Sequence, residues 1–163
     1  MYNSIQIANY YVNKSFETGK LLTPMKLLKL VYLAHGWNLA ITGKGLITEV
    51  TQAWKYGPVI PTIYRAFKYY GTSNISALAS GGNPISEIDE NTTKVLDKVW
   101  DVYKDFTGLQ LSTLTHQSGS PWDIIWNQEN GKDSFDVPIP NKVIENYYKA
   151  KGNKNNATAA THV

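Results

Sequence analysis

A mainly α-helical single domain, a compact bundle around a buried central helix with at most a small β element, is the fold class this sequence predicts. Three observations predict it. Residues 23–41, TPMKLLKLVYLAHGWNLAI, form a capped run that is apolar on nearly every side. Apolar residues recur at helical spacing through most of the remaining chain. Strand-like patterning is confined to residues 46–54 and 135–137. A chain of 163 residues is also long enough to bury a real core without staples.

Taken in order, Asn3 or Ser4 caps a first helix that runs to Thr18, with Ile5, Ala8, Val12 and Phe16 on one face and Gly19 as its stop. The central helix begins at Thr23, whose hydroxyl suits an N-cap, and Pro24, which suits the first helical position. The eighteen residues to Ile41 would span about 27 Å. Leu27, Leu30, Val31, Ala34, Trp37 and Ile41 make one apolar face, and Lys26 and Lys29 leave a narrow basic edge. Residues 46–54 read as a short strand or an irregular arm. Trp54-Lys55-Tyr56-Gly57-Pro58-Val59-Ile60-Pro61 reads as a rigid, non-helical turn. Pro61 opens a third helix to Tyr70. After an uncharged loop over 72–86, Ser86 and Asp89 resemble a capping box for a fourth helix, clearest over 92–106, with Val95, Val99, Val102 and Phe106 as its buried stripe. A short helix reaches His116. Ser120-Pro121-Trp122-Asp123 then marks another helix start, with Ser120 as cap and Asp123 as its acid. A last helix runs from about Pro140 to Lys151. The domain therefore spans 1–151, and residues 152–163 read as a disordered tail without core residues.

Composition excludes several functions. There is no cysteine, so disulfides and thiolate metal sites are absent and a reducing cytoplasm is the expected location. No secretion signal opens the chain, and Lys26, Lys29, His35 and Asn38 interrupt the central run too often for a membrane span. The net charge of +3 is uneven: residues 1–75 carry eight Lys/Arg against two Glu, and residues 76–136 carry four Lys against ten Asp/Glu. Either a dipolar surface steers a partner, or the two parts neutralise each other across the fold. Of three histidines, only His116 suggests chemistry, and a structural role beside the Ser-Pro-Trp turn competes with a catalytic one. No ligand spacing for a metal is present, and Gly43-Lys44-Gly45 lacks the rest of a phosphate loop. No cofactor is expected. A helix-turn-helix drawn from the first two helices fails because the second is too apolar to read a groove. Nucleic-acid regulation therefore stays as the alternative class, and a hydrolase using His116 as a third. Protein binding fits the 11 Tyr and 5 Trp best, because such rings anchor interfaces. The terminal Thr161-His162-Val163 has the form of a carboxylate-capture ligand, at a length that chance readily supplies.

Three motifs in order carry a resemblance to a known family: Leu22-Thr23-Pro24-Met25-Lys26-Leu27-Leu28-Lys29-Leu30-Val31-Tyr32; the segment Ala53 to Tyr64 with its Trp54-Lys55-Tyr56-Gly57-Pro58 core; and Leu114-Thr115-His116 followed by Ser120-Pro121-Trp122. Together they cover about residues 7–125. The sequence resembles the Panacea-domain (SocA-like) antitoxin family, many of whose members are phage-associated. The resemblance implies a non-enzymatic antitoxin that binds a cognate toxin protein, in some members presenting it to a bacterial protease. The chain starts almost at the domain, which argues against an added DNA-binding segment. Lys26, Lys29, Trp54, Tyr56 and Tyr64 are the expected toxin-facing residues, an exposed basic edge beside a rigid aromatic turn. Gly57, Pro58, Thr115, His116, Pro121 and Trp122 are expected to be structural. Homo-oligomerisation is left open.

Overall fold

The computed structural model describes the backbone of residues 1–161 and the side chains of residues 1–155. The described residues form seven α-helices and a three-stranded antiparallel sheet: α1 (Ser4–Thr18), α2 (Pro24–Thr42), β1 (Gln52–Trp54), β2 (Gly57–Val59), α3 (Pro61–Phe67), α4 (Glu90–Tyr103), α5 (Gly108–Thr115), α6 (Pro121–Asp123), β3 (Val137–Pro138) and α7 (Asn141–Thr161). A tighter turn, Lys68–Tyr70, extends α3, and a π-helical stretch, Ile124–Gln128, extends α6. No helix among the described residues is long and apolar enough to cross a membrane.

The helix ends follow from local chemistry. Asn3 Oδ1 accepts from Ile5 N–H at 2.8 Å and Thr23 Oγ1 accepts from Lys26 N–H at 3.4 Å. Gly19 and Gly43 close α1 and α2 in the left-handed region, at φ +73° and +72°, which costs glycine nothing. A full capping box, Thr107 with Gln110, opens α5. Asp89 alone caps α4, accepting from Thr92 N–H at 2.7 Å, while Ser86 lies in a separate turn, Ile85–Glu87, so the Ser86/Asp89 box is not formed.

Helix α2 is the core. It packs against α1, α3, α4, α5, α7 and strand β2, and fourteen of its nineteen residues are buried. Both ends open, with Met25 exposed at the start, and Trp37 half-buried and Ile41 exposed toward the finish. Each large apolar side chain buried here, such as Leu27, Leu30 or Leu33, contributes roughly 1.5–3 kcal/mol. Gly36 has a packing reason: a Cβ there would lie 2.6 Å from the Tyr148 ring, so its absence lets α7 close on α2.

Helix α4 turns by about one residue from the expected stripe. Leu96, Val99, Trp100 and Tyr103 are its buried side chains, whereas Val95 is half-buried, Val102 is exposed and Phe106 lies beyond the helix end. The cause is tertiary: the Trp100 ring stacks on Tyr11 at 6.1 Å, and this larger face wins over the valines. The displaced residues, with Trp37, Ile41 and Leu114, line a second apolar groove of about 580 Å³. Helix α7 also differs. Its described backbone stays helical from Gly152 to Thr161, where a disordered tail is expected, and Gly152 lies against Trp37. His162 and Val163 lie outside the described residues.

The irregular arm after α2 pairs only in short stretches. Ile47 bridges Tyr2 in parallel, residues 52–59 form a hairpin with the register Gln52↔Val59, Ala53↔Pro58 and Trp54↔Gly57, and β1 pairs on its other side with β3, Gln52↔Pro138 and Ala53↔Val137. Pro58 has no N–H to donate, and β2 accordingly lies at the edge in the order β2-β1-β3. Lys14–Asp97 at 2.8 Å and Lys20–Asp105 at 2.7 Å join the basic front of the chain to its acidic middle, the arrangement in which the two parts neutralise each other.

Candidate functional site

The hairpin reverses through Lys55 and Tyr56. Neither has a positive φ, so the reversal falls on Gly57, at φ +121°. A Cβ on Gly57 would also meet Lys29 Nζ at 2.7 Å and His116 Cε1 at 2.8 Å, which makes glycine necessary twice over.

Four side chains latch the hairpin. Lys29 Nζ donates to Pro58 O at 3.0 Å and Tyr56 O at 3.4 Å. Ser112 Oγ donates to Tyr56 O at 3.3 Å, and Trp122 Nε1 donates to Trp54 O at 2.6 Å. The fourth, His116, lies on Trp122 with ring centroids 4.3 Å apart, and its Nδ1 sits 2.5 Å from Ser112 O. A carbonyl at that distance requires Nδ1 to carry the proton. The ring nitrogen nearest Ser112 Oγ is therefore a donor and not a base, and the two do not form a nucleophile–base pair. Thr115 Oγ1 returns to Leu111 O inside α5, and Pro121 occupies the first position of α6. Gly57, Pro58, Thr115, His116, Pro121 and Trp122 thus sit in or around one latch.

Beside the latch lies an open groove of about 570 Å³, walled by Met25 and Leu28 of α2, by the hairpin and by Tyr64 and Lys68 after it. Trp54 and Tyr64 meet edge to face at 5.1 Å, and the Trp54 ring is fixed by its Nε1 donating to Gln52 Oε1 at 2.8 Å. Tyr56 is 70% exposed at the hairpin tip. Phe135, 68% exposed on the rim, has φ +69°, a strained value for a bulky residue. Sequence reasoning missed Phe135, for nothing in Ser134-Phe135-Asp136 signals it. It also missed Lys55 and Lys68, although both flank the aromatic residues in sequence.

The expected basic edge is corrected by burial. Lys26 and Lys29 are 8% and 3% exposed, so neither forms an accessible edge. Lys26 Nζ donates to Lys104 O at the end of α4, where a cation suits the negative helix terminus, and it does not line the groove. Lys29 does line it, from below. Burial alone pushes its ammonium down from 10.5 to about 7. Among the expected toxin-facing residues, Lys29, Trp54, Tyr56 and Tyr64 are brought together and Lys26 is not.

His35 is fully buried: its Nδ1 accepts from Leu46 N–H at 3.2 Å, and Nε2 meets Asn141 Oδ1 at 2.9 Å. Burial lowers its pKa, so it stays neutral and joins α2 to the arm and to α7. No group of three or more His, Cys, Asp or Glu that could hold a metal occurs among the described residues.

The family described as antitoxin SocA-like, Panacea domain, matches residues 27–123, more than half of the chain. The chain belongs to this family. It is 28% identical over 151 residues to antitoxin SocA of Caulobacter vibrioides (strain NA1000 / CB15N), covering 88% of this chain and 80% of that protein. No solved structure matches. In this Panacea domain the matched region begins at the buried core of α2 and ends with α6. It contains the whole latch, whereas Phe135 and α7 lie beyond it.

Proposed function

We propose that this chain is an antitoxin that neutralises a cognate toxin protein by direct association, with the hairpin groove as the toxin-facing surface. Family membership supports the antitoxin role. The observation that carries the surface is the set of exposed rings, Tyr56, Tyr64 and Phe135, around an open groove whose hairpin wall, with Trp54 and Tyr56, is latched from three helices. Rings held this way lose little entropy on binding and supply large contact area, which is what an interface anchor needs. A protease that takes the toxin from this chain would act on the assembled pair. That finer version of the reading predicts a shorter toxin half-life when both are expressed.

The test is growth rescue on co-expression with the toxic product of the adjacent gene. Trp54→Ala, Tyr56→Ala and Tyr64→Ala abolish rescue while circular dichroism melting stays close to wild type. Val102→Ser in the second groove serves as the control. Rescue lost with Val102→Ser and kept with all three aromatic variants moves the interface to that groove.

A further inference from the structure

We propose that the hairpin groove takes an acidic segment of the bound protein, with one carboxylate reaching the Lys29 ammonium and apolar neighbours lying against the rings. This rests on the groove being the toxin-facing surface. Three lysines, Lys29, Lys55 and Lys68, line the groove, and no aspartate or glutamate does. Lys55 Nζ lies over the Tyr56 ring at 5.4 Å, so one cation rides on the aromatic anchor itself.

Lys29 is the informative member. An ammonium has three N–H donors, and only two carbonyls meet this one. The other ionisable groups around it are Lys55 and Tyr56 on the hairpin, Tyr64 and Lys68 after it, and His116 at the end of α5. None is a carboxylate, and no ion pair compensates Lys29 among the described residues. A buried cation without a counter-charge is costly to the free protein. A carboxylate entering from the groove would hold Lys29 in its ammonium form, accepting its third N–H and supplying the counter-charge as a short charge-assisted hydrogen bond. Lys55 and Lys68 would steer the same segment in and disfavour a basic one. Flanking aliphatic or aromatic side chains would meet Trp54, Tyr64 and Phe135.

The experiment is panning of a phage-displayed random dodecapeptide library against the full chain, followed by affinity measurement on the enriched synthetic peptides. Enrichment of Asp or Glu beside apolar residues is expected. Such a peptide should lose about tenfold or more in affinity on Tyr56→Ala, on Lys29→Met, on Lys55→Ser with Lys68→Ser, and on Glu→Gln or Asp→Asn within the peptide itself. The last two changes leave the buried latch untouched, so they hold the test open if Lys29→Met loosens the hairpin. Neutral or basic peptides that still depend on Tyr56 overturn the acidic preference and leave the groove standing as the interface. An absence of enrichment overturns the acidic preference as well. Enriched peptides indifferent to Tyr56→Ala and Tyr64→Ala bind elsewhere, and then the groove reading fails too.

Discussion

Lys29 makes the stability of this protein depend on pH in an unusual direction. In the unfolded chain its ammonium titrates near 10.5, and in the folded chain burial lowers this to about 7. Between those values the unfolded state holds a proton that the folded state does not, so stability rises with pH. With those two values, the gain between pH 7 and pH 9 is about 2 kcal/mol, close to the limit of about 1.4 kcal/mol per pH unit. Burial lowers Lys26 and Lys151 in the same sense. The pKa of His35, lowered by burial, acts below neutrality and is spent by pH 7. Asp89, Asp105, Asp123 and Glu145, each lowered mainly by hydrogen bonds, act in the acid range. Tyr11, Tyr32 and Tyr148 are raised by burial, and Tyr10 by burial and by Asp97. These four hold their protons above pH 10, where the unfolded chain gives them up, so stability falls again there. Maximum stability is therefore expected near pH 9–10, above the common range of about 5–8. Urea unfolding followed by tryptophan fluorescence at fixed ionic strength, at pH 7, 8 and 9, measures the slope. Lys29→Met should flatten it while lowering stability at pH 9, because Pro58 O loses its donor from Lys29. A flat or falling wild-type profile over this range, or an unchanged slope in Lys29→Met, would refute the reasoning. Titration of the Lys29 side chain by NMR gives the same answer without unfolding.

Two further changes test the packing. Gly57→Ala forces a Cβ to within 2.8 Å of both Lys29 Nζ and His116 Cε1 at a φ of +121°, and should cost about 2 kcal/mol or more in urea unfolding, with faster hydrogen exchange in the hairpin. Gly36→Ala places a Cβ 2.6 Å from the Tyr148 ring; the helix-propensity gain of up to about 1 kcal/mol is outweighed by roughly 1–3 kcal/mol of overpacking, read as a lower melting temperature and altered Trp37 fluorescence.

Much of the fold is legible in the sequence because the helix ends are written in short-range chemistry. Asn3, Thr23-Pro24, Gly19, Gly43 and Ser120-Pro121 each act within a turn of their own position, and each does what its residue type predicts. The face of α4 is not written that way. Val95, Val99, Val102 and Phe106 satisfy helical spacing as well as Leu96, Val99, Trp100 and Tyr103 do. The choice between them depends on Tyr11, 89 positions away from Trp100 in the chain. The hairpin is half legible. Gly57-Pro58 announces a rigid turn, but strands of three residues carry too little alternation to reveal a register.

The candidate site divides along the same line. Trp54, Tyr56 and Tyr64 are recognisable by type, and the hairpin and α3 bring them to one groove. Lys26 and Lys29 stand three positions apart on one helix, which is why they read as a single edge. Yet a helix surrounded by five others and a strand has little free edge, and Met25 occupies it beside the hairpin in place of either ammonium. Each lysine instead extends its stem to the nearest carbonyls in need of a donor: those of α4's end for Lys26, and those of the hairpin turn for Lys29. Three-residue strands cannot satisfy every carbonyl of the turn by pairing, so the central helix supplies a lysine to do it. The same lysine then forms the floor of the groove, and it links the core helix directly to the surface a partner would touch.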